Sequence, residues 1–179
     1  ISEVDKDFAF LESLPGTKLI SRGNHDYWWT TLRKMEKYLE AKEFTSIRFV
    51  QNKAERVGNT IISGTRGWIL PNDSEFSTAD QKIFDRELAR LDLCIADMRR
   101  LDPEHECKWI LMIHYPPVIK TYLNNAFVEK ITGADIDLCV YGHLHGLGHR
   151  LIVEDTIANT SFKCIAADYI RFEPVKFAD

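Results

Sequence analysis

Three short segments of this sequence carry side chains that bind metal ions or move protons near neutral pH. They are Gly23-Asn24-His25-Asp26, His114-Tyr115-Pro116-Pro117 and Gly142-His143-Leu144-His145-Gly146. Neutral imidazole is the commonest side-chain metal ligand, and a His is also the commonest acid–base group. His143 and His145 are two residues apart, so in extended backbone they point to the same side and could share a metal site. Gly142 and Gly146 let the flanking backbone turn tightly or come close to an ion. In the first segment Asn24 offers a neutral carbonyl oxygen, His25 a titratable ring, and Asp26 a carboxylate able to fix the tautomer of that ring. Each reading has a plain counterpart. An isolated loop His is commonly solvated, and an Asn-rich turn commonly caps the helix after it.

What raises these residues above chance is where the secondary structure puts them. Ser2 to Leu14 reads as a helix with Val4, Phe8 and Leu11 on one face. After the Pro15-Gly16 turn, Thr17 to Ser21 is a short strand that delivers Asn24, His25 and Asp26. Thr30 to Lys42 predicts a surface helix with Leu32, Met35 and Leu39 inward. Arg48 to Gln51, Ala54 to Val57 and Thr60 to Gly64 read as strands, the last two joined by a Gly58-Asn59 hairpin turn. Thr78 to Leu101 has the clearest helical period, through Phe84, Leu88, Leu91, Ile95 and Met98. Lys108 to Ile113 is a buried strand that ends on His114. A helix over Asn125 to Thr132 then leads to the strand Asp137 to Tyr141 and on to His143 and His145. Leu151 to Glu154 and Phe162 to Ile170 add further strands. The four histidines thus follow three apolar strands, as expected where an open α/β sheet gathers ligands at its strand ends.

Composition narrows the remaining possibilities. At 179 residues, 45% hydrophobic and 28% charged, the chain has the balance of one soluble α/β domain. Cys94, Cys107, Cys139 and Cys164 form no CxxC pair and read as buried thiols, which with the lack of a signal peptide predicts a cytoplasmic protein. No apolar run is long enough for a membrane span. A net charge of −4 argues against a broad basic face for nucleic acid. A compact anionic substrate remains open, since bound metal ions would supply positive charge. The sequence does not indicate an oligomeric state.

Taken in order, GNHD, the His of IHYPP and GHLHG resemble the motifs of the calcineurin-like metallophosphoesterases, over residues 23 to 146. The resemblance implies an α/β sandwich of mixed β-sheets flanked by helices, and hydrolysis of small phosphate mono- or diesters by hydroxide activated on two divalent metal ions. It implies that Asn24, His114 and His143 ligate one ion and His145 the other. His25, held by Asp26, would act on the phosphoryl group or protonate the leaving alkoxide. Mixed imidazole and oxygen ligands suit Mn, Fe, Zn or Co better than Ca.

The family's D-x-H and G-D motifs do not occur, because no His precedes His25 and Gly16 is followed by Thr17. The chain also opens on Ile1. These features lead to the expectation that upstream strands carrying those ligands precede it, that the sheet has a gap, and that this chain alone is inactive. A non-catalytic scaffold of the same fold is the alternative, against which the presence of His25 argues. A nuclease is a third reading, disfavoured by the acidic charge. Arg66, between Gly64 and Gly67, is a candidate phosphate contact or a carboxylate partner. Tyr115, like Tyr27, Trp28 and Trp29, is a candidate for the substrate mouth or for the core. His105 and His149 read as structural or solvated.

Overall fold

The computed structural model describes residues 2–177; Ile1, noted above as the opening residue, lies outside them. After a single 3-10 turn at Ser2–Val4, α1 (Asp5–Ser13) leads into β1 (Lys18–Ile20), α2 (Leu32–Ala41) and β2 (Ile47–Phe49). There follow β3 (Ala54–Val57), β4 (Thr60–Thr65), the long α3 (Thr78–Leu101), β5 (Lys108–Ile113), α4 (Ala126–Thr132) and β6 (Leu138–Tyr141). A 3-10 segment, Gly146–Leu151, precedes β7 (Thr156–Ile157) and β8 (Thr160–Cys164).

The main sheet has six strands in the order β3-β4-β5-β6-β8-β7, and its four central strands are parallel. Antiparallel hairpins close both edges, β3–β4 through Gly58-Asn59 and β7–β8 through Ala158-Asn159. Strands β1 and β2 form a separate parallel pair. The chain leaving β2 joins it to the main sheet through a parallel bridge from Gln51 to Gly64. This is the mixed-sheet α/β class expected from the sequence. The strand ends of β1, β4, β5, β6 and β8 therefore all face one rim.

Apolar periodicity explains the packing. Along β5, alternate residues Trp109, Leu111 and Ile113 face the core beneath α3 and α4, where Leu91, Met98, Phe127 and Ile131 are buried. The other face carries Ile110, Leu138 and Val140, with Met112 and Phe177 packed on them. A smaller core of Phe8, Trp29, Met35, Leu39 and Phe49 lies between α1, α2 and β2. Helix α3 starts at a capping box, in which the Ser77 hydroxyl and the Asp80 carboxylate each accept from the other's backbone amide. Asn125 caps α4 and also donates its side-chain amide to the Pro117 carbonyl at 2.9 Å, tying the loop after His114 to that helix. All four cysteines are free and buried, as expected, and burial pushes the Cys94 thiol up to about 11.

Two expected strands take another form. Residues 151–154 are not a strand, although Ile152 and Val153 are buried, because the Tyr141 hydroxyl satisfies Val153 on both sides, donating to its carbonyl at 2.7 Å and accepting from its amide at 2.9 Å. A side chain thus does the work of a ladder. The strand expected over 162–170 is β8, which ends at Cys164, and the chain then folds into turns with Arg171 and Phe172 at positive φ.

Candidate active site

Each motif sits where a parallel strand runs out. Beyond β1, the Asp26 carboxylate accepts from the Gly23 amide at 2.6 Å and closes the Gly23-Asp26 turn. A Cβ at Gly23 would lie 3.1 Å from His114 Nδ1, so a side chain there would press on that ring. Beyond β5, the His114 amide still bonds to Thr65, and its carbonyl accepts from Gly142, so ladder hydrogen bonds extend one step into the loops.

The result is a contact between residues far apart in sequence. His114 Nε2 lies 2.6 Å from Asn24 Oδ1 and 3.2 Å from His143 Nδ1. Tyr115 packs its ring on His143 with centroids 4.1 Å apart. Desolvation, followed by the neighbouring histidines His143, His25 and His145, holds the His114 pKa down at about 4, and burial lowers that of His143. Both rings are therefore neutral at ordinary pH, the form that binds metal. His114 Nε2 faces two partners with at most one proton to donate, so the trio is not fully satisfied by its own hydrogen bonds.

Ligand atoms about 2.0–2.1 Å from a tetrahedral cation lie about 3.3 Å from one another, close to the His114–His143 spacing. The two imidazole nitrogens thus have the spacing of two ligands of one borderline ion such as Mn, Fe, Co or Zn, whereas Asn24 Oδ1, at 2.6 Å from His114 Nε2, is hydrogen-bonded to that ring and would have to move apart from it to join them. Among the described residues no three His, Cys, Asp or Glu side chains converge as a metal site. No counterpart to a second ion's ligand set is present among them.

The backbone at His143 is not extended, contrary to the expectation for the His143–His145 pair. His143 adopts φ 69°, and the Leu144 amide bonds back to the Gly142 carbonyl at 2.8 Å. Both residues nevertheless border one cavity. His145 places Nδ1 2.8 Å from Asp168 Oδ1, and the Gly146 amide donates to Asp168 Oδ2 at 3.1 Å. These bonds hold the Asp168 carboxyl far below the usual carboxylate range. Sequence reasoning missed Asp168, because it lies in a turn after β8 and belongs to no motif.

The remaining candidates divide. His25 is exposed, with Nδ1 3.5 Å from the Tyr27 hydroxyl, and Asp26 spends its hydrogen bond on Gly23 and not on His25. Arg66 is paired with buried Glu87 at 3.0 Å and stacks on Trp68. Tyr27 is exposed whereas Trp29 is core. His105 stacks on Trp109, and His149 meets Tyr169 edge to face. A cavity of about 240 Å³ lies between Trp68, Leu70, Tyr115, Ile119, His143 and Leu144. A second, of about 280 Å³, is bordered by Ser21, Arg22, His114, Gly142, His143 and His145. Arg22 is a further residue without a motif signal: its Nε is buried without a hydrogen-bond partner among the described residues.

Residues 3–147 match the family described as calcineurin-like phosphoesterase. This chain belongs to that family. Every motif of the site lies within the matched span, whereas Asp168 lies beyond it. As a calcineurin-like phosphoesterase the chain carries the fold of a metal-dependent phosphoester hydrolase. A crystal structure superposes on 90% of this chain with a TM-score of 0.58 at 13% identity, a likeness of fold alone. The match covers 62% of that protein, so the phosphoesterase chain spans less than two thirds of its length. No curated protein matches the sequence.

Proposed function

We propose that the protein hydrolyses small phosphate mono- or diesters with divalent cations, in the cytoplasm and without nucleic acid or membrane as partner. The observation that carries this reading is the meeting of Asn24, His114 and His143 within 2.6 and 3.2 Å, from three separate strand ends, in a family of phosphoesterases. These three residues hold one cation, and His145 contributes to a second. When bound, such ions supply an activated hydroxide and neutralise charge on the phosphoryl group.

The chain's own residues then have defined tasks. Burial keeps His114 and His143 neutral as ligands. His25, exposed at the mouth, protonates the departing alkoxide. Asp26 shapes the turn that presents His25 by bonding Gly23, a task different from fixing the ring directly. Arg22, half-buried and in no ion pair among the described residues, would contact the phosphoryl oxygens of a bound substrate. Arg66 acts behind it, held by Glu87, and Tyr115 orients His143. Cytoplasmic placement is supported by four free buried thiols.

A non-catalytic scaffold is the second reading, favoured by one observation: the trio holds no carboxylate to offset a dication. Metal content and hydrolysis of p-nitrophenyl phosphate and its bis-ester with Mn²⁺ decide between them. Bound metal with turnover supports the enzyme. Absence of both, in this chain and in any longer natural form, overturns it.

A further inference from the structure

Asp168 sits 23 residues after His145, in the turn beyond β8. Its two oxygens serve one segment: Oδ1 meets the His145 ring and Oδ2 accepts from the next backbone amide, Gly146. An ionised carboxylate only accepts, so the His145 nitrogen facing it is the protonated one, leaving Nε2 with its lone pair free. The His145 side chain is 64% exposed and has no other hydrogen bond among the described residues, so nothing else sets its orientation. Asp168 itself is held firmly. The Tyr169 and Phe172 amides close turns onto Ala166 and Ala167, and the Tyr169 hydroxyl donates to Glu154 at 3.0 Å. His149 Nε2 lies 3.1 Å from the same carboxylate but makes no hydrogen bond to it, so it does not take the place of the His145 ring.

A carboxylate that merely capped the 3-10 segment after His145 would need the Gly146 amide alone. The bond to the ring goes beyond that. We propose that Asp168 is a positioning residue for His145, fixing its Nδ1–H tautomer and ring orientation so that Nε2 is the nitrogen offered to a divalent cation. This rests on the metal-binding reading of the preceding section. It adds β8 to the strands whose ends build the site, and extends the site beyond the span that matches the family.

The test uses the metal-free chain with ¹⁵N-labelled histidine, observed by NMR above the titration of the ring. His145 is expected as the Nδ1–H tautomer in the wild type, to lose that preference in Asp168→Ala, and to keep it in Asp168→Asn, whose amide oxygen still accepts. Titration with Mn²⁺ is expected to show binding weakened about 10–100-fold in Asp168→Ala and less in Asp168→Asn. An unchanged tautomer in Asp168→Ala overturns the proposal. If that variant does not fold, an Nε2–H ring in the wild type overturns it equally. A chain that binds no cation yet shows the expected tautomers upholds the positioning role and sinks the proposed function instead.

Discussion

Asn24 Oδ1 and His114 Nε2, 90 residues apart in sequence, meet at 2.6 Å because β1 and β5 run out on the same rim of parallel strands. Neither residue is fixed by its neighbours in sequence. Their meeting makes the first prediction one about division of labour. His25, which stands outside the trio, should be dispensable for metal and needed for turnover. In a metal-loaded active protein, His25→Ala is expected to lower kcat by about 10²–10⁴-fold, the usual worth of a general acid. Elemental analysis should show unchanged metal. Loss of metal together with activity would make His25 a ligand or a structural residue.

Proton linkage at His114 gives a second prediction. Its folded pKa of about 4 lies below the unfolded value, so the unfolded chain binds more protons between those two values. Stability is therefore full above about pH 6.5 and falls as pH drops toward 4. The loss is about 1–3 kcal/mol after allowing for solvent screening of a partly exposed ring. Urea denaturation of the metal-free protein from pH 7 to pH 4, compared with His114→Gln, should show a steeper decline in the wild type. Parallel slopes would rule His114 out as the source.

Glu87 offers a test of the scaffold behind the site. Its carboxylate is fully buried and accepts from Arg90 at 2.6 Å and Arg66 at 3.0 Å. Glu87→Gln leaves two guanidinium groups without a counter-charge, at an expected cost of about 3 kcal/mol. Chemical denaturation reads this directly. A cost below about 1 kcal/mol would mean that water replaces the carboxylate.

Asn125 joins helix α4 to the loop after His114. Asn125→Ala removes the cap and the bond to Pro117 together, and should cost about 1–2 kcal/mol. Asn125→Asp keeps the cap acceptor but not the amide donor, so it should recover only part of the loss. Thermal melting of the three proteins separates the two contributions. Full recovery by Asp would show that the Pro117 bond contributes nothing.

Local pattern was enough for elements that their own residues determine. Helix α3 runs over the span that its apolar period marks, β5 over its continuous apolar run, and the β3–β4 hairpin turns at Gly58-Asn59. Each depends on near neighbours: side-chain spacing, a capping box, a glycine at positive φ. The motif histidines were legible for the same reason, since strand followed by loop is a local signal.

What the sequence could not decide were outcomes of distance. Whether His145 joins His143 depends on the turn at φ 69° and on a carboxylate that only the path of β8 brings near. Whether Arg66 meets substrate or Glu87 depends on how α3 crosses β4. Val153 looks like a strand residue, yet the Tyr141 hydroxyl takes both its backbone groups. In each case a hydrogen-bonding group had several possible partners, and the choice followed from which strand ends and helix faces were brought together. The types of side chain at the site were written locally; their grouping was set by long-range packing, because only the folded sheet brings residues 90 positions apart within hydrogen-bonding distance.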